Sequence, residues 1–187
     1  MGQPKAWLEF HGETLLRRVA RALSEVVTPV VVVAAAGQDL PPLDPHVLVV
    51  RDARPERGPL EGMLAGFQAL SGQADAVFVA SCDAPLISAP FVRRVIDSLA
   101  DHEIAAAETD GFAHPLAAAY RLDLLPKIEA MLAADRLRPT ELLKECRTRR
   151  LTREVFTDID PELHSLRTCN TLAEYESLLH LNVANKH

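Results

Sequence analysis

The chain has 187 residues, enough for one domain with a well-buried core and too few for two comfortable ones. It is 48% hydrophobic, 25% charged and only 5% aromatic, an ordinary composition for a soluble α/β protein. A formal net charge of −6 argues against a broad nucleic-acid surface, which needs a basic excess, yet leaves room for an anionic small molecule held by a few focused cations. The longest apolar run, Pro29 to Gly37, has the length of a strand and not of a membrane span. The polar first residues lack the pattern of a signal peptide. Three widely spaced cysteines, Cys82, Cys146 and Cys169, form neither a metal pair nor a disulfide framework, so a reducing cytoplasm is the expected setting.

In chain order, Leu15, Leu16, Val19, Leu23 and Val26 recur at helical spacing and predict a helix from Thr14, the N-cap candidate, to Val26. The β-branched run Pro29 to Ala36 reads as a strand covered on both faces. A short strand at Val47 to Val50, a polar loop from Arg51 to Gly58 and a helix over Leu60 to Leu70 follow. Ala74 to Ala80 is a second buried strand, and Ser88 to Leu99 a helix capped by Ser88 with Pro90 in its first turn. Glu103 to Ala107 and Leu116 to Tyr120 predict strands flanking a loop with Asp110-Gly111. Helices are expected at Leu122 to Ala134 and Pro139 to Cys146, and a strand at Leu151 to Phe156. A last helix spans Thr171 to Leu181, with Thr171 and Glu174 spaced as a capping box, before a frayed tail at 182–187. Strands alternating with helices imply one domain over 1–181, a mostly parallel sheet between helical layers, with ligands outside the carboxyl ends of the strands.

Several short motifs carry chemistry. In Ser81-Cys82-Asp83-Ala84-Pro85 a carboxylate sits where a buried strand emerges. It either holds a hard cation over bound phosphates or caps a turn fixed by Pro85. Lys5, just after Gly2, either neutralises phosphate charge or is a solvated surface residue. Gly58-Pro59-Leu60-Glu61-Gly62 opens a helix whose N-terminus favours an anion, although a plain loop-to-helix junction has the same look. Asp52 is either a hydrogen-bond acceptor for a nucleoside or a turn aspartate, and His114 either faces a second substrate or packs. Arg147, Arg149, Arg150 and Arg153 form an anion-attracting run or a solvated face. Cys82 ends a buried strand, which favours packing over reactivity.

The order of these pieces is more specific than any one of them. Met1-Gly2-x-x-Lys5, Gly58-Pro59-Leu60-x-Gly62, Cys82-Asp83-x-Pro85, His114-Pro115-Leu116 and Asn170-Thr171-x-x-Glu174-Tyr175 resemble, in succession, the molybdenum-cofactor guanylyltransferase (MobA-like) nucleotidyltransferases. The resemblance runs from Met1 to about Tyr175. It implies a three-layer Rossmann-like α/β nucleotide-diphospho-sugar transferase fold and transfer of GMP from GTP to the phosphate of molybdopterin, with release of pyrophosphate. By the same resemblance Lys5 binds the triphosphate, Gly2, Asp52, Gly58, Pro59 and Leu60 help hold the nucleotide, and Asp83 is the Mg²⁺ ligand. His114 and Asn170 lie toward the acceptor.

The sequence departs from the family in three places. Relatives carry a strand and a glycine-rich loop immediately before Met-Gly-x-x-Lys, and none of that is in this sequence. The family's frequent Asn-x-Asn is Thr168-Cys169-Asn170 here, and Ala34 to Ala36 stands where guanylyl members often have a base-contacting asparagine. The first departure is expected to leave a gap between the strands at Val30 to Ala35 and Ala76 to Ala80, which invites self-association. A late-assigned start or a truncated gene accounts for it, and weak GTP binding with little turnover is the expected behaviour. The alternatives are a catalytically weak nucleotide- or molybdopterin-binding protein, and a transferase using another nucleotide, such as CTP, or another phosphorylated acceptor.

Overall fold

The computed structural model describes residues 4–52, 54 and 57–181; Gly2 and the tail 182–187 lie outside these. A 3-10 turn, Lys5–Trp7, leads into a two-residue hairpin of β1 (Glu9–Phe10) and β2 (Glu13–Thr14). His11 and Gly12 at its tip both take positive φ, 50° and 85°, the backbone that a tight hairpin requires. The next helix, α1 (Leu15–Ser24), buries Leu15, Leu16, Val19 and Ala20. Thr14 sits at its N-cap as expected, but its hydroxyl accepts no capping hydrogen bond and is buried without a partner among the described residues.

The chain continues through β3 (Val30–Ala34), β4 (Val47–Arg51), α2 (Pro59–Leu70), β5 (Ala76–Ala80) and α3 (Ala89–Asp97). It then forms β6 (Ile104–Thr109), β7 (Phe112–Arg121), α4 (Leu125–Ala133), α5 (Pro139–Glu145), β8 (Thr148–Leu151) and α6 (Leu172–Leu179). Ser88 caps α3 by accepting from the Phe91 amide, and Thr171 with Glu174 forms the reciprocal capping box of α6.

The strands form a mostly parallel arrangement. β3 and β4 pair in parallel, and so do β6 and β8, whereas β7 runs antiparallel between β5 and β6. Alternation along β6 and β7 separates two cores. Ile104, Ala106, Ala118 and Tyr120 face α2, α4 and α5 through Leu60, Phe67, Ile128 and Leu142. Ala105, Ala107, Ala117 and Ala119 face the opposite layer of Val19, Phe91, Val92, Val95 and Phe156. This is the three-layer α/β sandwich that the alternating pattern implies. The alanines of β6 and β7 keep the sheet surface shallow, so the bulk comes from the helices.

Two elements differ from the sequence reading. The strand expected at Leu151 to Phe156 is β8, which ends at Leu151, and Arg153–Phe156 is a 3-10 turn. β8 is an edge strand with Arg149 and Arg150 exposed, so it lacks the apolar signature of a covered strand. The β1–β2 hairpin is too short to leave any periodic signal.

Among the described residues the expected gap between the strands is present: β3 pairs with β4, β5 pairs with β7, and no ladder joins β3 to β5. A cavity of about 680 Å³ lies between them, bounded by α1 residues such as Val19 and α2 residues such as Phe67. On its α2 side Gly62 and Gly66, one helical turn apart, let the helix approach β3. A Cβ on Gly66 would stand 3.4 Å from a Val33 methyl.

Candidate functional site

The chain leaves β5 into the turn that carries Asp83, the position where strands of an α/β sheet present their ligands. Arg18 of α1 anchors that turn by donating from Nε to the Pro85 carbonyl at 2.7 Å. The segment before α6 docks on it from the other side, the Cys169 amide donating to the Asp83 carbonyl at 3.0 Å. Asp83 is consequently only 7% exposed. Its Oδ1 accepts from Ser81 Oγ at 2.5 Å and its Oδ2 from Lys5 Nζ at 2.6 Å. The same Nζ donates to Asn170 Oδ1, also at 2.6 Å.

Three residues separated by up to 165 positions thus meet at one ammonium group. Asn170 is oriented by its own neighbours. Its amide Nδ2 donates to Thr168 Oγ1 at 3.0 Å, and its backbone N–H donates to Glu174 Oε2 at 2.8 Å. The N–H groups of Thr171 and Asn170 hold the Glu174 carboxyl below the usual carboxylate range, so it stays ionised as a clamp. Ser81, Thr168 and Glu174 are supporting residues to which sequence reasoning gave no role at the site. The signal available for them was the Ser-x-Asp and Thr-x-Asn spacing, which places a hydroxyl within reach two residues away. Burial, with the neighbouring Asp83 charge, pushes the thiols of Cys82 and Cys169 up, so both are protonated packing residues and poor nucleophiles.

The remaining expected residues make no hydrogen bonds to this cluster among the described residues. Asp52 follows β4, its amide donating to the Ala34 carbonyl, and its Oδ1 is buried without a partner among the described residues. Gly58 takes a φ of 79°, a left-handed conformation that suits glycine, and Pro59 occupies the first turn of α2. Leu60 is fully buried in the core, so what it offers a ligand is backbone. His114 is bonded to Thr109 across the β6–β7 hairpin at 2.6 Å, and burial pushes its imidazole pKa down, leaving it neutral. The arginine run is engaged in structure. Arg150 pairs with Glu108 at 2.7 Å, Arg147 reaches Glu103, and Arg153 reaches Glu162.

Glu61, inside the Gly-Pro-Leu-x-Gly motif, was not expected to matter by itself. It is 3% exposed, with Arg54 at 3.1 Å and Arg57 at 3.8 Å, so two cations converge on the loop that leads into α2. A buried acid in the first helical turn is favoured by the helix dipole and needs such partners to stay charged.

No three His, Cys, Asp or Glu side chains gather into a metal cluster among the described residues. A Mg²⁺ that is shared with substrate phosphates needs only one or two protein oxygens. Asp83 Oδ2 and Asn170 Oδ1 meet that need, since both already lie 2.6 Å from a common cation, the Lys5 ammonium. The donor set therefore fits a hard cation, on condition that Lys5 moves its Nζ onto the anionic ligand.

An α/β sheet with a lysine-paired carboxylate at the carboxyl end of a strand is an arrangement suited to phosphorylated nucleotides. The MobA-like NTP transferase domain matches residues 1–150. A probable molybdenum cofactor guanylyltransferase from Methanosarcina acetivorans is 30% identical, covering 94% of this chain and 82% of the relative. Molybdopterin-guanine dinucleotide biosynthesis protein A from Archaeoglobus fulgidus superposes with a TM-score of 0.76 at 18% identity, covering 95% of this chain and 89% of that one. Rv0371C from Mycobacterium tuberculosis, solved in complex with manganese, superposes with a TM-score of 0.61 at 18% identity, covering 95% and 92%. The chain belongs to the MobA-like NTP transferase family.

Proposed function

We propose that this protein transfers GMP from GTP to the terminal phosphate of molybdopterin, releasing pyrophosphate, with Mg²⁺ as the cation and the cytoplasm as its setting. The observation that carries the reading is the convergence of Lys5 Nζ on Asp83 Oδ2 and Asn170 Oδ1 at the carboxyl end of β5. The names of the curated relatives supply the substrates, and the manganese-bound structural neighbour supports a divalent cation.

No protein nucleophile is required. The acceptor phosphate attacks the α-phosphorus and pyrophosphate leaves, so the protein's task is alignment and charge neutralisation. Lys5 moves from Asp83 and Asn170 onto the triphosphate, whose charge outbids a single carboxylate. With Lys5 so moved, Asp83 and Asn170 would hold Mg²⁺, and the cation would supply further neutralisation of the phosphate charge. Asp52 and the backbone of Gly58 to Leu60 hold the nucleoside, with the N-terminus of α2 turned to negative charge. His114, neutral and hydrogen-bonded, lies toward the acceptor as a polar contact and not as a cation.

The test incubates the purified protein with molybdopterin and Mg²⁺, with GTP or CTP in parallel, and measures pyrophosphate and the dinucleotide product. The reading expects GTP to be preferred and Asp83→Ala to remove whatever Mg²⁺-dependent binding or transfer the chain shows. Preference for CTP would move the assignment to a cytidylyl transfer. Mg²⁺-dependent binding that survives Asp83→Ala would remove Asp83 from the metal.

A further inference from the structure

We infer that Arg54 reads the guanine base of the nucleotide, and that Glu61 is the positioning residue that aims it. The inference rests on the guanylyl reading above and names the side chain that selects that base.

On that reading the nucleoside is held by Asp52 and the backbone from Gly58, outside the carboxyl ends of β3 and β4. The end of β3 offers little to distinguish one base from another. Ala34 closes the strand, and Ala35 and Ala36 follow it. The polar groups nearby are turned onto the loop itself. Gln38 Oε1 accepts from the Ala35 amide at 3.1 Å, and Arg51 Nη1 donates to the Ala35 and Gln38 carbonyls at 3.1 and 2.7 Å. A group that reads the base is therefore sought after β4.

Two arginines stand there, and they are employed differently. Arg57 is committed to the scaffold. Its Nη2 donates to the Leu132 carbonyl at 2.9 Å and to Asp135 Oδ1 at 3.1 Å, which ties the loop to the end of α4. Arg54 is held at a single atom, its Nε donating to Glu61 Oε1 at 3.1 Å, and its Nη1 and Nη2 make no hydrogen bond among the described residues. The Arg54 side chain is 52% exposed and that of Glu61 only 3%. The carboxylate is thus the fixed, inner end of the pair, and the guanidinium fork is the outer end.

Glu61 is an expensive way to build a helix start. Its Oε2 is buried with no hydrogen-bond partner among the described residues, and Arg57 Nε stands 3.8 Å away. A buried acid so incompletely matched is a cost to stability. What it secures is direction, since it removes rotamer freedom from a long side chain before any ligand arrives.

The fork suits guanine. That base presents two adjacent acceptors, O6 and N7, and a guanidinium held through Nε still has N–H groups of Nη1 and Nη2 side by side to meet them. Adenine carries an amino donor in place of O6, so one donor would face another. A lysine would supply the charge without the fork.

The test is calorimetry with Mg²⁺ on the full chain, comparing GTP, ATP, CTP and 7-deaza-GTP, in which a C–H replaces N7. The parent is expected to bind GTP about tenfold more tightly than 7-deaza-GTP. Arg54→Met should weaken GTP about tenfold, bring it level with 7-deaza-GTP and leave ATP unchanged. Arg54→Lys should lose the same discrimination although it keeps the charge. Glu61→Leu should lose it in part, and Glu61→Gln, whose amide oxygen still accepts from Arg54 Nε, should retain it. Discrimination that survives Arg54→Met or Arg54→Lys would overturn the assignment while leaving guanylyl transfer in place. Equal loss of GTP and ATP in Arg54→Met would make the residue structural and overturn it too. Glu61→Leu and Glu61→Gln behaving alike would remove the positioning role; should Glu61→Leu fail to fold, the exposed Arg54 variants decide. A parent that prefers ATP or CTP, or binds no nucleotide, would overturn the guanylyl reading and this inference with it.

Discussion

The contact between Lys5 and Asp83 offers a direct measure of how the site is poised. With the charges 2.6 Å apart, Coulomb's law gives about 1.6 kcal/mol at the dielectric of water and roughly 6 kcal/mol at an effective value near 20. The Lys5 side chain is 36% exposed, so screening and the entropy of fixing a long side chain bring the net coupling to about 1–2 kcal/mol. The single changes should be unequal. Lys5→Met leaves a carboxylate that is 10% exposed without its cation, whereas Asp83→Asn leaves an ammonium that reaches water. The first should cost about 2–3 kcal/mol and the second about 1 kcal/mol. Urea unfolding of the parent, both single variants and the double variant gives the coupling as a cycle. GTP binding with Mg²⁺, read by calorimetry on the same proteins, tests function separately, and both single variants should weaken it about 100-fold. A coupling below about 0.3 kcal/mol would refute the electrostatic argument. Unaltered GTP binding by either variant would refute the assigned roles.

Three further outcomes follow from local geometry. Burial holds His114 below the ordinary value of 6.5, so the folded state takes up its proton less readily than the unfolded chain. Its contribution is complete above that value and is lost as pH falls below it; His114→Asn should flatten the slope of the urea midpoint between about pH 7 and 5, and an unchanged slope would exclude His114 as its source. Tyr120 is fully buried and its hydroxyl donates to the Pro115 carbonyl at 2.7 Å. Tyr120→Phe should cost about 1 kcal/mol in urea unfolding, and a neutral result would mean that the carbonyl finds another donor. Thr171→Ala removes one half of the α6 capping box and should cost about 1 kcal/mol. By loosening Asn170 it should also weaken Mg²⁺-dependent GTP binding, whereas Thr171→Ser should retain both; equal binding by the two variants would separate the cap from the site.

The parts of the fold that show in the sequence are those whose burial repeats along the chain. The β-branched run that becomes β3 is covered by α1 and α2, so each residue is apolar and the strand is visible. The edge strand β8 carries Arg149 and Arg150 to solvent, with Arg150 paired to Glu108, and its pairing with β6 leaves no apolar trace in its own residues. Convergence across the chain is harder still to read. Lys5 on a 3-10 turn, Asp83 after β5 and Asn170 before α6 reach one point only because β5 ends where Arg18 and Cys169 pin the Asp83 turn from two sides. The resemblance to known transferases named these three residues; it did not show that, without a ligand, the lysine lies in the position a cation would take. Nor could it assign Glu61, whose charge makes sense only with Arg54 and Arg57 beside it.

That arrangement bears on how the two halves of the molecule act together. The Asp83 turn is rooted in β5, a strand with one edge paired to β7 and the other facing the cleft. A strand held on one side only opens locally more readily than one held on both, because fewer backbone and apolar contacts must break. The Lys5 and Asn170 contacts steady Asp83 from the far side of the turn, and they are the contacts that the triphosphate and the metal would take over. Binding of GTP with Mg²⁺ should accordingly steady the turn and, through it, β5. Amide exchange at Val77 and Val79, read by NMR with and without the nucleotide, is expected to slow when GTP is bound. Unchanged exchange there, at a GTP concentration that saturates binding, would show that the strand and the turn move independently.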